Sequence, residues 1–339
     1  MPFPGPFDRG GGMYILGIQG SPRKNGNTAY LLTRFLAACR ERGAEVEEIR
    51  APELNLTPCR ELLVCESRGI CPLKDEMERI YAKIYRADAI VLASPVFFYN
   101  VTAQLKVLID RCQMFWGRKY KMGLTHPRAA QRHGILLGVA ASGGQRLFEG
   151  MDLTARYFFD AVSARFDHAL THRHVEKAGD IRQVDGLQAR LEQVAAQITA
   201  PWMDPGRILL VSHRDACRGP AAAALAQEAL QGKVVVSSAG ISPDSGLDEV
   251  MVDALARDGL DLAYGKPSPL PATGPHAVPS PRWVGILSPD IPLDILPGTI
   301  GIRLNLPSLE SDPQLWLAQM RGAVGAFLDR LSAHPPFPG

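Results

Sequence analysis

Residues 20–28, reading GSPRKNGNT, lie between the apolar run 14–18 and a helical pattern with Tyr30, Leu31, Leu32, Phe35 and Leu36 on one face. A buried strand that ends in a Gly/Ser/Asn/Thr loop and restarts as a helix has few folds open to it. The helix N-terminus offers unpaired N–H groups and partial positive charge, and Ser21, Asn25, Asn27 and Thr28 add polar side chains around it. Gly26 gives the backbone a freedom that a side chain would deny. The loop reads as a phosphate cradle, with an ordinary capped strand-to-helix turn as the alternative. The nucleoside-triphosphate pattern GxxxxGK[ST] fits poorly, because no Lys-Ser/Thr pair closes the loop.

The same design repeats along the chain. Strands are expected near 14–19, 45–50, 88–94, 134–141 and 168–174, and helices over 28–42, 74–86, 102–115, 147–165 and 183–199. Alternation with near-continuous apolar strands argues for a parallel sheet covered on both faces. Such a sheet binds ligands at the carboxyl ends of its strands, where the strand order reverses. The stretch PWMDPG, 201–206, breaks the pattern and reads as a linker. A second alternation opens at Arg207 with ILLVS and runs through a helix (220–231), a strand (233–237), a helix (247–258), a strand near 283–287 and a last helix over 313–331. The expected fold is α/β: two doubly wound parallel-sheet domains, 13–200 and 207–331, between a flexible leader (1–12) and a loose tail (332–339).

Composition narrows the function classes. Hydrophobic residues make up 46% and charged residues 21% of the 339, enough for two packed cores. A net charge of +2 gives no electrostatic reason to expect nucleic acid or an acidic membrane as partner. No apolar run is long enough to span a bilayer and the N-terminus lacks a signal-peptide core, so a cytoplasmic location is expected. The six cysteines do not form a secretory disulfide pattern; in a reducing compartment they are thiols or metal ligands.

Two further loops belong with the first. Ser94, Pro95, Val96, Phe97, Phe98, Tyr99 and Asn100 follow the buried strand AIVLA; Pro95 fixes a turn, and the aromatics are suited to wall a flat ligand or to pack in the core. Ala141, Ser142, Gly143 and Gly144 follow the strand GILLGVA and let backbone approach a ring closely.

With these motifs in this order, residues 13–200 resemble the flavodoxin-like NADPH-dependent FMN reductases, including their iron–sulfur flavoprotein branch. The matching segments are GSPRKNGNTAYLL (20–32), CPLKDEM (71–77) and SPVFFYNVTAQLKVLIDR (94–111). The resemblance implies a non-covalent FMN whose phosphate rests on Ser21, Arg23, Asn25, Asn27 and Thr28. Its ring would lie against Pro95, Val96, Phe97, Phe98 and Tyr99, with Ser142 and Gly143 approaching from the third loop. It also implies NAD(P)H as co-substrate, a small-molecule electron acceptor, and a homodimer or homotetramer. The flavin carries the redox chemistry, so no side chain is assigned as acid or base. Asp110 and Arg111 are expected to form a structural ion pair at a helix end.

The iron–sulfur branch carries a compact cysteine cluster just before the LKDEM helix, with its first ligands separated by two residues. Here that loop holds Cys59, Cys65 and Cys71, while the site three residues after Cys59 is Leu62. A four-cysteine cluster needs one thiolate more than the loop offers. Free thiols, a cluster completed by Cys112, and another metal or redox role stay open.

The second half carries a different signature. Ser212-His213-Arg214-Asp215-Ala216-Cys217-Arg218-Gly219-Pro220 closes a strand and opens an Ala-rich helix. With Ser238-Ala239-Gly240, an acidic helix holding Asp248 and Asp253, and Asp258-Gly259-Leu260-Asp261, it resembles the low-molecular-weight protein tyrosine phosphatases and related arsenate reductases over 207–331. That family's nucleophile is a cysteine opening a C-x5-R loop; here Ser212 holds the position. A serine has no accessible anion near neutral pH and needs an adjacent base, for which only His213 is at hand. Asp215 stands for the usual asparagine and would repel a bound oxyanion, and Gly219 stands for the usual serine. The family's acid precedes a proline; Asp312-Pro313 is one candidate, but the alignment favours 306–309, which puts Ser308 there. The domain therefore reads as an inactive anion loop, with Arg218 holding an anion weakly or bracing the loop. Three functions remain in view: a flavin-dependent oxidoreductase with a degenerate phosphatase-like domain, a non-catalytic flavin or oxyanion sensor, and an active phosphatase or arsenate reductase.

Overall fold

A computed structural model describes residues 12–204, 206–271, 279–309 and 312–333. The expected leader up to residue 11, Pro205 of the linker and the tail from 334 lie outside the described residues. The chain divides into two compact units, one built from most of residues 14–199 and the other chiefly from 200–339.

The first unit is a five-stranded parallel sheet wrapped by helices. Its elements run β1 (Tyr14–Gln19), α1 (Asn27–Glu41), β2 (Glu45–Arg50), α2 (Val64–Arg68), α3 (Met77–Arg86), β3 (Ala89–Pro95), α4 (Ala103–Arg111), α5 (Gln113–Trp116), β4 (His133–Val139), α6 (Glu149–Ala161), β5 (Arg165–His172) and α7 (Leu187–Met203). The strand order is β2-β1-β3-β4-β5. Every residue of β1 and β4 is buried, as interior parallel strands require. The chain leaves β1 for β2 on one side and returns to β3 on the other. The carboxyl ends of β1 and β3 therefore flank the point where the order reverses, with Gln19 beside Ala93 and Pro95 beside Val139.

Departures from the expected elements have local causes. β5 starts at Arg165 rather than 168, because this edge strand opens on the half-exposed RFD, which carries no apolar run. The helix expected over 102–115 is interrupted at Cys112, whose N–H bonds to Ile109 O (2.9 Å). α2 is a five-residue helix between Leu63 and Gly69, both left-handed (φ 58° and 63°), too short for a periodic signal. α7 runs on through Pro201 to Met203.

The expected Asp110–Arg111 pair does not form. Adjacent residues on a helix point apart. Asp110 pairs instead with Lys106 (2.7 Å), while Arg111, 2% exposed, turns inward to Asp75 (2.6 Å) and to the Thr57 carbonyl (2.7 Å). Asp75 also accepts from the N–H groups of Thr57 and Met77, both at 3.0 Å. This clasp ties the two ends of the cysteine loop, 58–72, to the end of α4.

The second unit is a four-stranded parallel sheet ordered β7-β6-β8-β9. Its elements are β6 (Ile208–Ser212), α8 (Arg218–Ala229), β7 (Val236–Gly240), α9 (Glu249–Arg257), β8 (Trp283–Ile286), β9 (Ile300–Arg303) and α10 (Pro313–Ser332). β9, absent from the sequence reading, is a four-residue edge strand with both ends exposed. Ala221, Ala222, Ala223, Ala224 and Ala226 of α8 are buried, so their small size lets the helix lie close to the sheet. Trp283, Trp316, Met320 and Phe327 fill the space beside it.

Candidate functional site

The first loop is fixed by hydrogen bonds to its own backbone. The Gly20 N–H donates to Ala93 O (2.7 Å), and Thr102 Oγ1 donates to Gly20 O (2.7 Å), so the loop is fixed to β3 and to the start of α4. Ser21 N–H donates to Gln19 Oε1, while Gln19 Nε2 is buried with no partner. α1 begins after Gly26, which is extended (φ −81°, ψ 174°), and no side chain caps it. Its first N–H groups are thus left for a ligand. A Cβ on Gly26 would stand 3.1 Å from Arg23 Cβ and 3.7 Å from Ser21 Oγ, inside the turn of the loop.

One cavity of about 280 Å³ joins this loop to the second one. Ser21, Arg23, Asn27, Thr28, Pro95, Val96 and Phe97 of the expected residues line it. Asn25, Phe98, Tyr99, Ser142 and Gly143 do not. Phe97 N–H and O exchange bonds with Asn100 (2.8 and 3.0 Å), which makes 97–100 a tight turn. Phe98 and Tyr99 sit at its tip with φ of 46° and 64° and project outward; Phe98 is fully exposed, so the core-packing alternative for these aromatics does not hold. Left-handed backbone at two bulky residues is strained and is held by the surrounding structure. Gly143 lies under the His174 ring, 2.5 Å from Cε1 to a Cβ built on it. Asn27 is committed elsewhere: its Nδ2 donates to Lys177 O (2.8 Å) and its Oδ1 accepts from Gly179 N (2.9 Å). Its side chain braces the neighbouring loop, leaving only its backbone for an anion.

Ala141 of the third loop lines the cavity as well, with Pro22 and Gly26, while sequence reasoning missed Val139, Val175 and Glu176, which complete the lining. Val139 ends β4 and pairs with His172 at the end of β5. Only the strand order puts the residues after β5 beside residues 21–28.

Cys59, Cys65, Cys71 and Cys112 line a separate cavity of about 860 Å³ with Leu62, Leu63, Trp116 and Tyr157. Burial raises the Cys65 thiol above its ordinary value, and burial raises that of Cys112 much further. Among the described residues no three His, Cys, Asp or Glu side chains are grouped to hold a metal ion.

The loop of the second unit is closed by its own atoms. Ser212 Oγ accepts from Asp215 N–H (3.0 Å). His213 Nε2 meets Asp290 Oδ2 at 2.6 Å, so the ring is engaged away from Ser212. Asp215 is 2% exposed and left-handed (φ 51°); its Oδ2 accepts from Ser268 N–H (2.8 Å), and its Oδ1 has no partner. A Cβ on Gly219 would lie 2.7 Å from that oxygen and 3.3 Å from Ser212 Oγ. A side chain at this position would crowd both oxygens, and glycine avoids the clash. Burial, with the nearby Asp248 carboxylate, pushes the Cys217 thiol up to about 11 despite Arg218. Asp312 caps α10, accepting from Gln314 and Leu315 N–H (3.0 and 3.1 Å), and Ser308 is exposed.

A five-stranded parallel sheet of this order, with an uncapped loop at its switch point, defines a flavodoxin-like domain, and the second sheet with its strand–loop–helix opening defines another α/β domain. Residues 13–166 match the model of the NADPH-dependent FMN reductase family, and residues 207–273 that of the low molecular weight phosphotyrosine protein phosphatases. The chain belongs, through its first domain, to the FMN reductase family, with relatives named iron–sulfur flavoproteins. It is 38% identical over 133 residues to such a protein of Methanocaldococcus jannaschii, covering 39% of this chain and 66% of that one. It is 34% identical over 133 residues to another from Methanosarcina thermophila, covering 39% of this chain and 67% of that one. Among solved structures, an azoreductase from Bacillus anthracis aligns over 55% of this chain and 99% of its own, at 16% identity and a TM-score of 0.42. The chain thus spans about two thirds of the length of the first two relatives. Among the described residues no helix is long and apolar enough to cross a membrane.

Proposed function

We propose that residues 13–200 form an FMN-dependent NAD(P)H oxidoreductase domain passing electrons to a small-molecule acceptor such as a quinone or flavin, and that residues 207–331 form a phosphatase-like domain without hydrolytic activity. The observation that carries the first part is the shared cavity: the uncapped start of α1 and the turn Pro95, Val96 and Phe97 face one space at the carboxyl ends of adjacent strands. Family membership supports FMN as the occupant. The phosphate would rest on the first N–H groups of α1 with Ser21 and Thr28, and Arg23 would add positive charge. The ring would lie along Pro95, Val96 and Phe97, whose apolar atoms exclude water from one face. When bound, FMN supplies hydride acceptance and release; the polypeptide supplies position and access.

The second part rests on Ser212, Asp215 and Gly219 together. A serine held by a backbone N–H, beside a carboxyl group and without a hydroxyl at position 219, lacks what makes a thiolate loop reactive.

The purified full-length chain should show flavin absorption and release about one FMN per chain on denaturation. It should oxidise NADH or NADPH with a benzoquinone as acceptor. Gly26→Val should weaken FMN binding about tenfold or more, equivalent to about 1.4 kcal/mol, because the added side chain enters the loop. A colourless protein that gains no flavin when mixed with FMN would sink the oxidoreductase reading.

A further inference from the structure

The relatives are named for an iron–sulfur cluster, and the donor set of this chain does not fit one. Such a cluster is held by four protein thiolates. The six cysteines divide by position: Cys39 is buried on α1, Cys217 belongs to the second unit, and Cys59, Cys65, Cys71 and Cys112 line one cavity. A four-thiolate site therefore requires Cys112. That residue sits at the junction of α4 and α5, 1% exposed, with its backbone bonded to Ile109 and Phe115 within the helical run.

The opposing loop is not free to move to it. Arg111 holds the Thr57 carbonyl and Asp75, at either end of residues 58–72. At the loop's middle, Gly117 presses against Cys65: a Cβ there would lie 2.5 Å from the Cys65 carbonyl oxygen. These contacts hold the loop at both ends and at the Cys65 backbone, while residues 58–63 between them are exposed. In this arrangement no three potential ligands come together among the described residues. Leu62 lies three residues from Cys59 and three from Cys65, half exposed, and lines the same cavity.

We infer that this chain does not assemble the cluster for which its relatives are named, because Leu62 occupies the place of the fourth thiolate, and that Cys59, Cys65 and Cys71 remain free thiols. The inference rests on family membership and on the cysteine loop, and is independent of flavin binding.

The test uses the full-length chain, prepared without air and incubated with ferrous iron, sulfide and a thiol reductant, then desalted. Iron and acid-labile sulfide are counted per chain, with FMN quantified separately after denaturation. The wild type is expected to retain fewer than about 0.5 iron atoms per chain, and Leu62→Cys about four with matching sulfide. A wild-type chain retaining three or four irons with equal sulfide would overturn the inference. So would a Leu62→Cys chain that folds, as its circular dichroism shows, yet stays iron-free, since the missing thiol would then not be the cause.

Discussion

Asp215 is the residue whose chemistry departs furthest from an anion-binding loop. Burial drives its carboxyl up to about 7, even though Ser268 N–H and the Ser238 side chain hydrogen-bond to it and act in the other direction. The folded state thus keeps a proton that the unfolded chain releases near pH 4. The stability tied to this proton is fully present below about pH 4 and is lost as pH rises through about 7. A shift of about three units corresponds to about 4 kcal/mol at full ionisation. Urea unfolding of the second domain, followed at pH 5 and pH 8, should show this loss in the wild type and much less of it in Asp215→Asn, whose amide carries no charge in either state. Equal losses in both chains would mean that another group titrates. The sequence marks Asp215 as a charge in the wrong place, but its burial and its unpartnered Oδ1 depend on Gly219 and Ser268, which only the fold brings near it.

Between elements, the controlling contact of the first domain is the Arg111–Asp75 clasp. Asp75 is partly buried, which alone would raise its pKa; the Arg111 guanidinium and the N–H groups of Thr57 and Met77 outweigh this and hold it below its ordinary value. Stability from the pair is therefore present at neutral pH and is lost on acidification below about pH 4. Arg111→Met should cost about 3–5 kcal/mol, because it leaves a carboxylate without its buried partner. Hydrogen exchange of β1 and β3 amides measures this, and a change below about 1 kcal/mol would show that the loop relaxes around the lost charge. The helical spacing of 102–115 locates α4 correctly, yet it offers Asp110 as the obvious partner. A helix turns successive side chains by a third of a circle, so Asp110 faces solvent and Lys106, while Arg111 faces the loop.

For the whole molecule, two α/β domains with similar strand–loop–helix openings are proposed to differ in chemistry because of what occupies each loop. At the first, the start of α1 is uncapped and open to a cavity; at the second, Ser212 is closed by a backbone bond and Asp215 adds a carboxyl group. The chain should leave an aromatic phosphate ester unhydrolysed. Ser212→Cys alone should not restore turnover at pH 8, since Gly219 still lacks the supporting hydroxyl and Asp215, ionised above about pH 7, sets a negative charge against an oxyanion. Release of nitrophenol above buffer background from the Ser212→Cys chain would show that the thiol alone suffices. The alternation of apolar strands and amphipathic helices, the three loops at strand ends and the missing cysteines are local properties, set by side-chain type and spacing, and the sequence by itself determined them. The tertiary structure alone decided which of these residues meet. Strand order carries Val175 and Glu176 to the residue 21–28 loop, ties Asn27 to Lys177 and Gly179, and turns Phe98 and Tyr99 out of the cavity that Phe97 enters. The Asn27 bonds join positions as much as 152 residues apart, and their geometry follows from how strands pair and helices pack, which no spacing along the chain encodes.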